Sequence, residues 1–150
     1  MSRLEVVSQD LSLEEYRELA EFRHQIRCFL SITEENAKET GLEPETYLLL
    51  LAVQGLPEGA RPTIPELANR MCLTREAVSG LVDQAASRTE VTRSSAEGNE
   101  DWVKLTRTGR DLLRRMALAN RDELERTGPE LVRSLQSVLK QRRRRHRGVA

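Results

Sequence analysis

The chain has 150 residues, 38% hydrophobic and 32% charged with only five aromatics, enough for one domain with a modest core. No stretch reaches the roughly 18 apolar residues of a membrane span, no signal-peptide pattern is visible, and Cys28 and Cys72 build no disulfide framework, so a cytoplasmic location is expected. The zero formal net charge is an average: residues 1–50 carry eleven acids and five bases, residues 51–100 seven and five, and residues 101–150 six and fourteen.

Residues 1–10 read as a flexible N-terminus. A long helix is predicted over Leu13–Thr40, opened by Ser12 and Glu15 at capping-box spacing and stopped by Gly41. Tyr16, Leu19, Ala20, Phe22, Ile26, Phe29, Leu30 and Thr33 fill an arc of roughly 180°, wider than packing on one core requires. At ~1.5 Å per residue the helix is about 40 Å long. Width and length together predict burial on two sides, one of them against another chain.

A second helix after Pro44 runs through Val53, apolar nearly all round, and is expected at the buried centre. Leu56–Pro62 reads as a loop. Thr63 and Glu66 form another capping box, with Pro65 tolerated in the first turn of a short helix from Ile64 to about Met71. After a turn at Cys72 and Leu73, Thr74 is the N-cap of the next helix, whose buried face is Val78, Leu81, Val82 and Ala85. Cys72 is expected to pack as a small hydrophobe. Two short helices joined by a tight turn are a helix-turn-helix candidate.

Beyond Arg88 the period changes to that of strands. Val91–Ser94 and Trp102–Leu105 are predicted to pair around a loop at 95–101. A helix from about Thr106 is expected to break at Gly128-Pro129, with a final helix carried by Leu131, Val132, Leu135, Val138 and Leu139. Residues 141–150 form a basic tail, Arg142-Arg143-Arg144-Arg145-His146-Arg147. It reads as an irregular, solvated segment, with contact to phosphates or acidic partners as the alternative.

The order of elements is that of a mainly α winged helix-turn-helix with a small β-hairpin and helical arms. Within it stand Gly41-Leu42-Glu43-Pro44-Glu45-Thr46-Tyr47-Leu48-Leu49-Leu50, Pro62-Thr63-Ile64-Pro65-Glu66-Leu67-Ala68-Asn69-Arg70, Ala77-Val78-Ser79-Gly80-Leu81-Val82-Asp83 and Leu105-Thr106-Arg107-Thr108-Gly109. By these segments, in this order and spacing, the chain resembles the MarR family of transcriptional regulators over residues 15–139. It implies a domain over 11–140, with a DNA-binding lobe at about 42–106 and dimerisation helices at 11–41 and 107–140. It further implies a homodimeric regulator on a pseudo-palindromic operator, with a recognition helix from Thr74 to about Ser87 in the major groove and the hairpin as a wing. In the family, small aromatic or acidic effectors bind between arms and lobe. The corresponding candidates here are Arg23, His24, Arg27, Tyr47 and Met116, with Met116 equally at home in the core.

On the recognition helix, Thr74 and Arg75 are expected at phosphate and Ser79 and Gln84 at base edges, while Glu76 can accept from cytosine N4. Arg88, Arg93 and Lys104 are expected on the DNA backbone, and Asp83 is expected to pair with a nearby arginine. The wing tip departs from the family pattern: Glu97, Gly98 and Asn99 stand where the family bears arginines beside an aspartate, Glu100 and Asp101 follow, and a tip with three carboxylates repels phosphate. A second reading is therefore a winged-helix dimer that has lost DNA reading and serves as a protein-interaction module. A thiolate sensor at Cys28 would need close base partners. No cofactor motif, metal-ligand spacing or catalytic signature is present, so no enzyme is expected.

Overall fold

In the computed structural model, which describes residues 10–96 and 100–148, α1 spans Leu13–Thr40. Its capping box is complete: Glu15 N donates to Ser12 Oγ at 3.2 Å, and Ser12 N donates to Glu15 Oε2 at 3.0 Å. Gly41, at φ +77°, closes it, with Gly41 N bonded to Lys38 O and Leu42 N to Ala37 O. That paired pattern ends a helix when the residue after it is left-handed. The expected flexible segment at 1–9 and the tip residues Glu97–Asn99 lie outside the described residues.

α2 (Pro44–Gln54), α3 (Ile64–Met71) and α4 (Arg75–Ser87) follow. The N-caps of α3 and α4 are the threonines expected. Thr63 Oγ1 accepts from Glu66 N, and Thr74 Oγ1 accepts from Ala77 N at 3.1 Å. At α3 only half the capping box forms, because the Glu66 carboxylate turns to Arg70 Nε one helical turn on.

Two more helices end in the left-handed pattern, with no glycine available. Cys72 (φ +54°) closes α3, with Leu73 N on Ala68 O; Thr89 (φ +59°) closes α4, with Thr89 N on Ala86 O and Glu90 N on Ala85 O. Cys72 is thus exposed rather than packed, because the turn fixes its backbone and directs its side chain outward. A β-branched residue at positive φ costs on the order of 1–3 kcal/mol. Here the neighbouring chain holds it, since the Thr106 hydroxyl donates towards Thr89 O (2.5 Å) and Glu90 O (3.0 Å).

Strands β1 (Val91–Ala96) and β2 (Glu100–Leu105) pair antiparallel from Val91↔Leu105 to Ala96↔Glu100. Pairing carries each strand two residues further than alternation alone predicts, because backbone groups at 95–96 and 100–101 find partners across the hairpin. A bridge between Thr63 and Trp102, with Val103 N donating to Pro62 O at 2.9 Å, joins the segment before α3 to the hairpin.

The last element corrects the expected break. α5 runs unbroken over Arg107–Arg147 with Pro129 inside it. Proline removes one backbone donor and crowds the carbonyl four residues back, but its fixed φ is itself helical. Glu125, the residue whose carbonyl loses that donor, is exposed, so water can satisfy it. The helix also takes in the arginine run, which is helical to Arg147 rather than irregular.

The described residues divide into two compact units, one of Thr33–Arg121 and one of the chain before Thr33 and after Arg121. In the first, Leu42, Leu49, Leu50, Leu67, Val78, Val82, Val91, Val103 and Met116 are fully buried. Each such side chain contributes about 1.5–3 kcal/mol. α2 packs on α3, α4 and β2. It is not buried all round, for Leu48 and Leu51 are 51% and 42% exposed. Gly109 lets the start of α5 touch the end of α4, since a Cβ there would lie 2.0 Å from Glu90 O. In the second unit, α1 shows Leu13, Tyr16, Leu19 and Leu30 to solvent, and α5 shows Val132, Leu135 and Leu139.

Candidate DNA-binding surface

Burial of Val78, Leu81, Val82 and Ala85 against the core turns the opposite face of α4 outward. That face carries Arg75, Glu76, Asp83, Gln84 and Ser87, all exposed, with Ser79 half-buried among them. The Thr74 hydroxyl is spent as an acceptor in capping α4, yet its proton is still available to a phosphate oxygen. Arg75 begins the helix, where free backbone amides add a favourable field for an anion.

The hairpin is tied to this face by Arg93. Its guanidinium donates to Asp83 Oδ1 at 2.6 Å, Asp101 Oδ2 at 3.2 Å and Ser79 Oγ at 3.4 Å. The expected partner of Asp83 is therefore Arg93, and Arg93 is not the free phosphate contact the sequence implies. Both carboxylates lie within reach of one planar fork, and Arg93 itself is only 27% exposed. With Asp83 and Asp101 more than half exposed, screening limits each pair to about 0.2–1 kcal/mol. What the clamp fixes is geometry, joining a residue of α4 to one on each strand. It also neutralises one carboxylate of the acidic wing.

The remaining bases are unequal. Arg88 lies 3.8 Å from the Glu43 carboxylate, and Arg70 pairs with Glu66. Arg75 on α4 and Lys104 on β2 are exposed and enter no ion pair among the described residues. Arg61 lies over the Trp102 ring at 6.0 Å from its centroid, a cation–π contact beneath the wing that sequence reading missed.

Where α4, the hairpin and α5 meet, Glu90 is buried, and its Oε2 accepts no hydrogen bond. Burial pushes its carboxyl above the ordinary value, with the Arg88 charge pulling the other way. Beside the C-terminal end of α4, a cleft of about 500 Å³ is lined by Glu34, Glu43, Glu45, Thr46, Leu81, Gln84, Ser87 and Arg88.

The five effector candidates are divided between the two units. Tyr47 and Met116 belong to the hydrophobic core of the Thr33–Arg121 unit, Met116 fully buried. Arg23, His24 and Arg27 are exposed on α1 in the other unit. There, Cys28 Sγ lies 3.6 Å from His24 Nε2, one helical turn away.

A short helix, a tight turn, a second helix with a solvent-facing polar side, and a hairpin bound to that side define a winged helix-turn-helix. Solved structures extend this to most of the chain: the fold is that of MarR family transcriptional regulators. AbsC of Streptomyces coelicolor, a MarR family regulator, is similar over 94% of this chain and 99% of its own, at TM-score 0.73 and 20% identity. Sco3205 of the same organism, solved in complex with DNA, aligns over 88% and 87% at TM-score 0.70 and 21% identity. CouR of Rhodococcus jostii, solved with p-coumaroyl-CoA, aligns over 74% and 83% at TM-score 0.58 and 21% identity. No protein-family profile and no curated protein sequence matches the chain.

Proposed function

We propose that this protein is a homodimeric DNA-binding transcriptional regulator, a repressor released from a pseudo-palindromic operator by a small aromatic or acidic effector. The observation that carries the reading is the outward polar face of α4 with the hairpin clamped to it through Arg93. On that face Ser79 and Gln84 meet base edges, Glu76 accepts from cytosine N4, and Thr74, Arg75, Arg88 and Lys104 meet phosphate. Arg93 acts by holding the wing.

Dimerisation is supported by the apolar stripes left open on α1 (Leu13, Tyr16, Leu19, Leu30) and α5 (Val132, Leu135, Leu139). Ala37 of α1 and Leu113 and Met116 of α5 are buried in the core, whereas these stripes are not. Such a surface is unusual on a monomer and fits a second copy of the chain. Mass measurement in dilute solution should give a dimer, and a folded monomer contradicts this. The effector is supported by the ligand complex of CouR, with Arg23, His24 and Arg27 the residues to test for an anionic group.

The test is a titration of duplexes from upstream of the gene against random duplex at two salt concentrations. Arg75→Ala should weaken binding to all sequences and lower the salt slope by about 0.9 for each phosphate no longer neutralised. Gln84→Ala should relax preference at one base position, by about 1–3 kcal/mol. If no fragment outcompetes random duplex at low salt, the acid-bearing face of α4 (Glu76, Asp83) favours the second reading, a protein-interaction module.

A further inference from the structure

The recognition surface is poor in free cations, while α5 ends in a cationic stripe that the winged helix does not use. Lys140, Arg143, Arg144 and Arg147 are exposed and stand at i, i+3, i+4 and i+7, so they share one face of an intact helix. At 100° per residue this face is centred roughly 100° round α5 from the apolar stripe of Val132, Leu135 and Leu139. A dimer contact through the apolar stripe therefore leaves the basic one open.

The stripe does not serve the helix that carries it. One cation suffices for the roughly half charge of a helix C-terminus. Like charges at i+3 and i+4 then work against α5, as Lys140 does with Arg143 and Arg144. None of the four enters an ion pair among the described residues.

We propose that this face of α5 is a second DNA-contacting surface, one that binds the phosphate backbone of duplex DNA without reading sequence. Three of its four cations are arginines, whose forked donors match phosphate oxygens. The four span about 10 Å of helix axis, a length over which duplex DNA carries roughly six phosphates, so each finds its own partner. A lipid surface fits poorly, because Lys140–Arg147 contains no apolar residue to insert. The proposal goes beyond operator reading and does not depend on it.

The experiment compares the full-length protein with the K140Q/R143Q/R144Q/R147Q variant on random-sequence duplex across a salt series. Unchanged far-ultraviolet circular dichroism shows that the variant helix is intact. Four phosphate contacts per protomer give the wild type a log–log salt slope steeper by about 3.6 for each protomer engaged. For one engaged protomer, the wild type then loses about 150-fold more affinity than the variant between ~50 and ~200 mM salt.

Equal slopes overturn the proposal. So does loss of the slope in R143K/R144K/R147K, which keeps the charge. Stripe-dependent binding to polyglutamate or to phosphatidylserine vesicles, with none to duplex, also overturns it, in favour of an acidic protein or a membrane. The same titration with an upstream fragment keeps the two readings apart. A variant that still prefers the fragment over random duplex has lost only the stripe, whereas a wild type with the steep slope and no preference has lost only the operator reading.

Discussion

Arg93 shows how one side chain changes part when its neighbours are known. Alone in sequence it is a base in a wing, and a base in a wing is a phosphate contact. In the fold it holds Asp83 and Asp101, so its removal loosens the polar tie between wing and α4 instead of deleting one charge facing DNA. Arg93→Ala should therefore weaken operator binding by about 1 kcal/mol or more while changing the salt slope by less than the ~0.9 of a full phosphate contact. A full-contact change would return Arg93 to the backbone.

The clamp was only half legible. Asp83 facing a nearby arginine could be inferred from its place on the polar side of α4. Asp101 could not, because it meets Arg93 only in the register that pairs Arg93 with Val103 and Ser95 with Asp101. Cys72 and Thr89 were hidden for a similar reason, since the local rule reserves left-handed helix ends for glycine and asparagine.

Glu90 gives a pH signature. A carboxyl whose folded value is raised binds its proton more tightly when folded, so stability is fully present below its ordinary value and falls as pH rises through the folded one. Glu90→Gln should thus be more stable than the wild type at pH 7, with the gain vanishing below pH 4.5. Thermal melts at the two pH values check this, and a gain that persists in acid would locate the effect elsewhere.

At the scale of elements, ends were legible where one residue does the work locally. Ser12, Thr63, Thr74 and Gly41 each satisfy a backbone group within a few positions, and α1, α3 and α4 begin or end where those residues stand. In α5 the strong local stop Gly128-Pro129 is overridden, because a single missing hydrogen bond does not outweigh helix-forming residues on both sides. That leaves a removable penalty. Pro129→Ala should raise stability by about 1–3 kcal/mol in urea melts at fixed protein concentration. An unchanged or lowered midpoint would mean that the ring packs well enough to offset the missing bond.

For the molecule as a whole, the zero net charge resolves into separate surfaces. α1 carries acids towards both ends with exposed Arg23 and Arg27 between them, α4 mixes Arg75 with Glu76 and Asp83, the wing holds one carboxylate under Arg93, and α5 ends in a bare cationic stripe. Composition showed the asymmetry, and only the fold shows which charges are already paired. The open apolar stripes of α1 and α5 are the ground for proposing that the protein is a symmetric pair.

Sequence-specific binding by a dimer is most directly tested by selecting bound duplexes from a randomised pool and reading the enriched sequences. The account predicts a two-fold-symmetric motif whose half-sites lie about one helical turn (~34–36 Å) apart, with the preference at one base position in each half-site lost in Gln84→Ala. A pool that stays random after repeated selection, or yields a single asymmetric half-site, would contradict it.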